Sequence, residues 1–134
     1  MHGKPVKRWP GTHAINVIPR AGKDINAYYD RRNLKFFYAK DRVLKKTVFT
    51  VDSSDVVAHE LGHALLDAMR PDFWSVQALE IWAYHEAFAD INAVVALLLF
   101  DPVLEHVLKE TKNNLRKANV ASRLAEEMGL IIYH

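Results

Sequence analysis

Cysteine is absent from all 134 residues, which excludes disulfides and thiolate metal ligands alike. Any bound ion must therefore be held by nitrogen and oxygen. A long apolar run is missing too. The longest, INAVVALLLF from Ile91 to Phe100, falls well short of the ~20 residues that cross a bilayer, so it reads as a buried helix and no membrane partner is expected. The start, MHGKPVKRWPGT, lacks the apolar stretch of a signal peptide, and the residues leave the localisation open. No segment is depleted enough in apolar residues for disorder, and there is no internal repeat or linker-like stretch. Net charge is only +2, too small to dictate a partner. Basic residues do gather at Arg31, Arg32, Lys35, Lys40, Arg42, Lys45 and Lys46, but they belong to no groove-binding module. The cluster reads as a solvated face, and no nucleic-acid partner is expected.

The length fits one domain, strand-rich over 1–51 and helical over 52–134. HAINVIPR and KTVFTV have strand character, while INAYYD and LKFFYAK flank RRN and read as a hairpin. Tyr28, Tyr29, Phe36, Phe37 and Tyr38 would then alternate in and out of it. Asp52 is the expected N-cap of a first helix, with Asp55 three residues on and Pro71 stopping it after Arg70. A second helix is expected from Val76 or Leu79 to Leu99. Two shorter ones follow over 102–111 and 113–128, with Gly129 in C-cap position. A small sheet followed by helices makes an α+β fold.

The chemistry concentrates in DVVAHELGHALLD, Asp55 to Asp67. His59 and His63 are four apart, so a helix presents both imidazoles on one face, one turn above the other, where they can share a tetrahedral ion. Glu60 is rotated by about 100° from His59. It lies beside such an ion rather than on it, within reach of a water that zinc acidifies, which is why zinc peptidases use His-Glu-x-x-His. Catalytic zinc usually takes three protein ligands, so a third is required. HEAFAD supplies candidates: Glu86 can reach the ion from a facing helix, and Asp90 can accept a hydrogen bond from the far nitrogen of a ligand histidine and fix its tautomer.

At these residues the chain resembles the thermolysin-like gluzincins. DVVAHELGHALLD and HEAFAD are similar to that family's two zinc-helix motifs, and INAYYDRRNLKFFY resembles its edge-strand segment, in the same order, over about residues 25–95. The resemblance implies a zincin-type helix pair and a zinc metallopeptidase acting on a peptide or protein substrate. It makes His59, His63 and Glu86 the ligands, Glu60 the general base and Asp90 the supporting carboxylate. It also implies that Asn26 and Ala27, with Tyr28 close by, bind an extended substrate by strand addition.

The sequence departs from the family in two places. Where its members carry an oxyanion-binding tyrosine between the zinc helices, this chain has Trp74, and Tyr84 is a poor substitute. The family's downstream histidine and arginine have no counterpart before His134, so the chain is expected to be either a piece of a longer protein or a reduced relative. A bare AVVALLLF segment would favour self-association. The alternative function is a non-catalytic, zinc-stabilised binding or structural domain. Asp67 is expected at the surface, His85 exposed or locally bonded, and His13, His106 and His134 have no ligand-like context.

Overall fold

The structure, a computed structural model, describes residues 14–41, 45–121 and 123. Within them the fold is α+β, with five short strands followed by three helices. Strands β1 (Asn16–Ile18), β2 (Ala27–Tyr29) and β3 (Asn33–Phe36) form one sheet in the order β1-β3-β2, with β1 parallel and β2 antiparallel to β3. β2 is thus an edge strand. The expected hairpin is present, and its turn follows from local chemistry: the Asp30 carboxylate accepts from the backbone N–H groups of Arg32 and Asn33 at 3.1 and 2.8 Å. Leu34 and Phe36 alternate inward from β3, meeting Tyr29 and Ala64 in the core, with Ile15, Ala27, Val51, Val56 and Val57 packed around them.

The second arm of the hairpin is not the single strand that LKFFYAK suggests. It breaks at Phe37, and β4 (Tyr38–Lys40) pairs instead with β5 (Thr47–Phe49) in a separate two-stranded sheet. Thr50 fixes this corner, because its hydroxyl accepts from the Phe37 N–H and donates to the Asn26 carbonyl, each at 2.9 Å.

Helix α1 (Ser54–Met69) follows a single 3-10 turn, Thr50–Asp52. That turn absorbs Asp52, so the N-cap is Ser53, in extended conformation with its hydroxyl bonded to Asp55. Pro71 ends the helix as expected and opens a second 3-10 segment, Pro71–Ser75. Helix α2 (Leu79–Leu98) then packs on α1, and α3 (Asp101–Thr111) follows with Pro102 in its first turn. The helix expected from residue 113 does not start there. Lys112 and Asn113 both have positive φ, the chain turns, and helical backbone resumes at Val120. Gly129, His13, Arg42 and His134 lie outside the described residues.

The α1–α2 seam is built from small residues. A Cβ on Gly62 would stand 2.7 Å from the Ala89 Cα, a separation real side chains do not tolerate, so glycine is what lets the helices meet this closely. Ala89 and Ala93 are the buried residues of α2, and Asn92 Nδ2 donates to the Ala58 carbonyl at 2.6 Å across the seam. The opposite side of α2 is bare: Ile91, Val95 and Leu99 are 64, 52 and 78% exposed. No single helix among the described residues is long and apolar enough to cross a membrane; α2 and α3 pass only as a pair bent by 95°.

Candidate functional site

α1 projects His59 and His63 toward α2, and their Nε2 atoms face each other at 3.2 Å. From α2, Glu86 brings Oε2 to 3.5 Å from His59 Nε2 and Oε1 to 3.7 Å from His63 Nε2. Three donors held by one ion at about 2.1 Å with tetrahedral angles must stand about 3.4 Å apart. The two nitrogens stand near that separation, Glu86 approaches each ring with a different oxygen, and the three residues form a group, with ligand atoms within 4.8 Å of one another, that could hold a metal ion.

The protonation pattern suits a cation as well. His59 Nδ1 lies 2.9 Å from Asp90 Oδ1, and a carboxylate oxygen only accepts, so Nδ1 carries a proton and Nε2 is the nitrogen that faces the cluster. Burial holds the His63 imidazole below its ordinary pKa, at about 4, so it is neutral at pH 7. Burial also lowers the pKa of His59, but the surrounding carboxylates Glu86, Glu60 and Asp90 outweigh it and raise the net value. Two neutral Nε2 lone pairs at 3.2 Å repel unless a proton or a metal ion sits between them.

Glu60 occupies the neighbouring position. Its side chain is buried, the backbone N–H of Tyr29 donates to it, and Oε2 has no hydrogen-bond partner. Burial pushes its carboxyl up to about 7. An unpartnered, buried carboxylate oxygen is expensive unless the site supplies a partner, and here it borders a cavity of about 500 Å³.

That cavity places the remaining expected residues. Ala27 and Tyr28 line it, as do His59, Glu60, His63 and Glu86. Asn26 does not. Its side chain folds back on the Ala27 N–H at 2.8 Å, and its carbonyl is taken by Phe37 and Thr50. Trp74 also lines the cavity, whereas Tyr84 does not and packs edge-on against Phe73. His85 is half-buried rather than exposed, with its ring 5.8 Å from that of His63. His106 lies on α3, outside the cluster.

Asp67 is the clearest correction. Expected at the surface, it is fully buried, pairs with both Arg31 Nε and Nη2 at 3.0 Å and accepts from the Tyr29 hydroxyl at 3.0 Å. Arg31 therefore leaves the solvated basic face. Lys35 also finds a partner, in Asp30 at 3.0 Å. Residues that sequence reasoning missed are Tyr29, which holds Glu60 and Asp67 at once, and the wall formed by Phe73, Val76, Ile81 and Trp82. The missed signal for the wall was the spacing of large apolar residues just before and after the start of α2. Tyr29 gave none, because its partners are distant in the chain.

No family model, curated protein or solved structure matches the chain.

Proposed function

We propose that the chain is a zinc metallopeptidase of the thermolysin-like gluzincin type, with α1 and α2 as its zincin helix pair. The observation that carries this reading is the His59, His63 and Glu86 donor set, whose ligand atoms lie within 4.8 Å of one another, with an unpartnered Glu60 oxygen beside it. His59, His63 and Glu86 would hold the ion, and Asp90 keeps His59 in the tautomer that binds it. When bound, zinc supplies Lewis acidity, polarising a peptide carbonyl and making water easier to deprotonate.

The chain's own residues do the rest. Glu60 takes the proton of the attacking water and returns it to the leaving amine, a role that suits a buried carboxylate poised near neutrality. Ala27 would bind the substrate backbone, with Tyr28 beside it in the cavity lining and Asn26 acting through the side chain that covers the Ala27 N–H. The Asn26 carbonyl and the Asp30 N–H face the β3 side, so the pleat turns the Ala27 peptide groups and the Tyr29 carbonyl away from it, toward an added strand, while the Tyr29 N–H is held by Glu60. The Ala27 N–H becomes available once the Asn26 side chain swings off it.

A non-catalytic, zinc-stabilised domain is the second reading. Of the two tyrosines that line the cavity, Tyr29 already donates its hydroxyl to Asp67, which leaves one fewer donor for a developing oxyanion. One experiment separates the two. Zinc content and hydrolysis of a mixed peptide pool are measured for the parent chain, Glu60→Gln and His63→Ala. The peptidase reading expects about one zinc per parent chain, the same in Glu60→Gln with hydrolysis abolished, and loss of both in His63→Ala. Zinc without hydrolysis in the parent favours the structural reading. Loss of zinc from Glu60→Gln would overturn the roles given to α1.

A further inference from the structure

Each helix of the cluster sets one further polar residue beside a ligand. On α1 it is Glu60, next to His59, and on α2 it is His85, next to Glu86 and turned about 100° from it by helix geometry. We infer that His85 is the hydrogen-bond donor to the anionic oxygen that develops when a substrate carbonyl is attacked. The inference rests on the peptidase reading for the reaction, but the affinity for an anionic oxygen is a property of His85 itself.

Three observations carry it. His85 lines the same cavity as Glu60, half-buried, with its ring centre 5.8 Å from that of His63, so it stands beside the cluster and not at a remote rim. The ring is also held. His63 lies against it at a tilt of 30°, and Trp74 stands edge-on to it at 6.2 Å, which confines the imidazole between two members of the cavity lining. A donor fixed in advance needs no reorganisation when the charge appears. Finally, His85 is uncommitted, since among the described residues none is hydrogen-bonded to its ring. The hydroxyls nearby are placed less well. Tyr29 gives its hydroxyl to Asp67, the Tyr28 hydroxyl meets Lys35 at 3.3 Å on the exposed side of the hairpin, and Tyr84 does not line the cavity. An imidazole carries at least one N–H whether neutral or charged, so the role asks for no change of protonation. In the step itself the water oxygen bonds to the carbonyl carbon, a water proton goes to Glu60, and the π pair moves onto the carbonyl oxygen, which accepts the hydrogen bond from His85. His85 keeps its proton. The pair returns as the C–N bond breaks, and the amine leaves with the proton from Glu60.

The test uses the full chain loaded with zinc and two uncleavable analogues of an alanine hexapeptide. In one the central peptide group is a phosphinate, tetrahedral and anionic, and in the other it is the plain hydrocarbon CH2–CH2. Calorimetry reads their affinities, and hydrolysis of a mixed peptide pool and zinc content are measured on the same samples. The parent should prefer the phosphinate. His85→Phe and His85→Leu should weaken phosphinate binding roughly 10- to 100-fold while leaving the hydrocarbon analogue and the zinc content unchanged. Hydrolysis should fall on the order of 10² to 10³. His85→Gln, whose amide restores an N–H, should recover part of both losses. The inference is overturned by a parent with no phosphinate preference, by a preference that survives in both apolar His85 variants, or by one lost instead in Trp74→Phe or Tyr84→Phe. Loss of zinc from all three His85 variants would overturn it too, by making the ring a support for Glu86. Hydrolysis in the parent that is untouched by the His85 changes would leave the peptidase reading in place without this donor. His85-dependent phosphinate binding in a parent that cleaves no peptide would do the reverse.

Discussion

Arg31 and Asp67, one in a hairpin turn and the other near the end of α1, form a two-pronged ion pair with both contacts at 3.0 Å. Asp67 has no solvent exposure, so its charge depends on Arg31 and the Tyr29 hydroxyl for everything water would have provided. The pair ties the hairpin to the helix that carries His59 and His63. It also sets Arg31 beside Trp74.

Removing Arg31 should therefore be costly. Arg31→Ala leaves a buried carboxylate without its cation, and a loss of about 3 kcal/mol is expected in urea denaturation. Arg31→Lys should recover only part of it, since an ammonium cannot reproduce the two-pronged contact. Wild-type stability in Arg31→Ala would mean that Asp67 is neutral in the folded chain.

Asp30 gives a pH signature. Burial raises its pKa, but hydrogen bonds from the Asn33 side chain, Lys35 and the Arg32 and Asn33 backbone together outweigh it and hold the carboxyl at about 2, against an ordinary 3.8. A depressed folded pKa stabilises above the unfolded value and loses that contribution as pH falls through the folded one. The melting temperature of the parent should exceed that of Asp30→Asn by a constant margin above about pH 5, narrowing from pH 4 to pH 2. A margin that persists at pH 2 would assign the difference to packing.

Gly62→Ala tests the seam. The added methyl meets Ala89 backbone, which cannot rotate aside, so the helices must separate, at a cost of about 1 to 3 kcal/mol. Because the proposed ligands sit on opposite sides of that seam, zinc affinity should fall together with stability. A drop in stability with unchanged zinc affinity would show that Glu86 adapts independently of the helix spacing.

Asp90→Asn keeps the shape of the side chain but weakens its hold on His59 Nδ1. Competition with a chelator should show zinc affinity about 10- to 100-fold lower, with the stoichiometry at saturation still one. An unchanged affinity would remove Asp90 from the site.

Ile91, Val95 and Leu99 form a bare apolar stripe, from which self-association is expected. Sedimentation should show association that grows with concentration and weakens in Val95→Lys. A monomer across the whole range would end that expectation.

Much of this was legible in the sequence because its signals are local. The i,i+4 spacing of His59 and His63, the same spacing of Glu86 and Asp90, and the RRN turn all act within one or two turns of chain, where periodicity fixes direction. Asp67 was misjudged because its partners, Tyr29 and Arg31, are far away in the chain, and no helical period reveals a contact with a hairpin tip. The split of LKFFYAK between two sheets escaped for the same reason, since Thr50 turns the corner from outside the segment. The start of α1 shifted by one residue because a 3-10 turn uses the same polar residues as a helix cap.

Only Ala89 and Ala93 of α2 are buried, whereas α1 buries seven of its residues. A helix as little buried as α2 is expected to open to solvent at lower free energy than α1 or β3, which hydrogen exchange of its amides would read, and an opening would carry Glu86 and Asp90 away from His59 and His63. The donor set thus exists only while the seam is shut, and a cation that binds the closed state alone slows this opening by mass action. On the proposed metal reading such an ion would act as a removable cross-link between residues 63 and 86, and the resistance to proteolysis along α2 would then rise and fall with the metal supply.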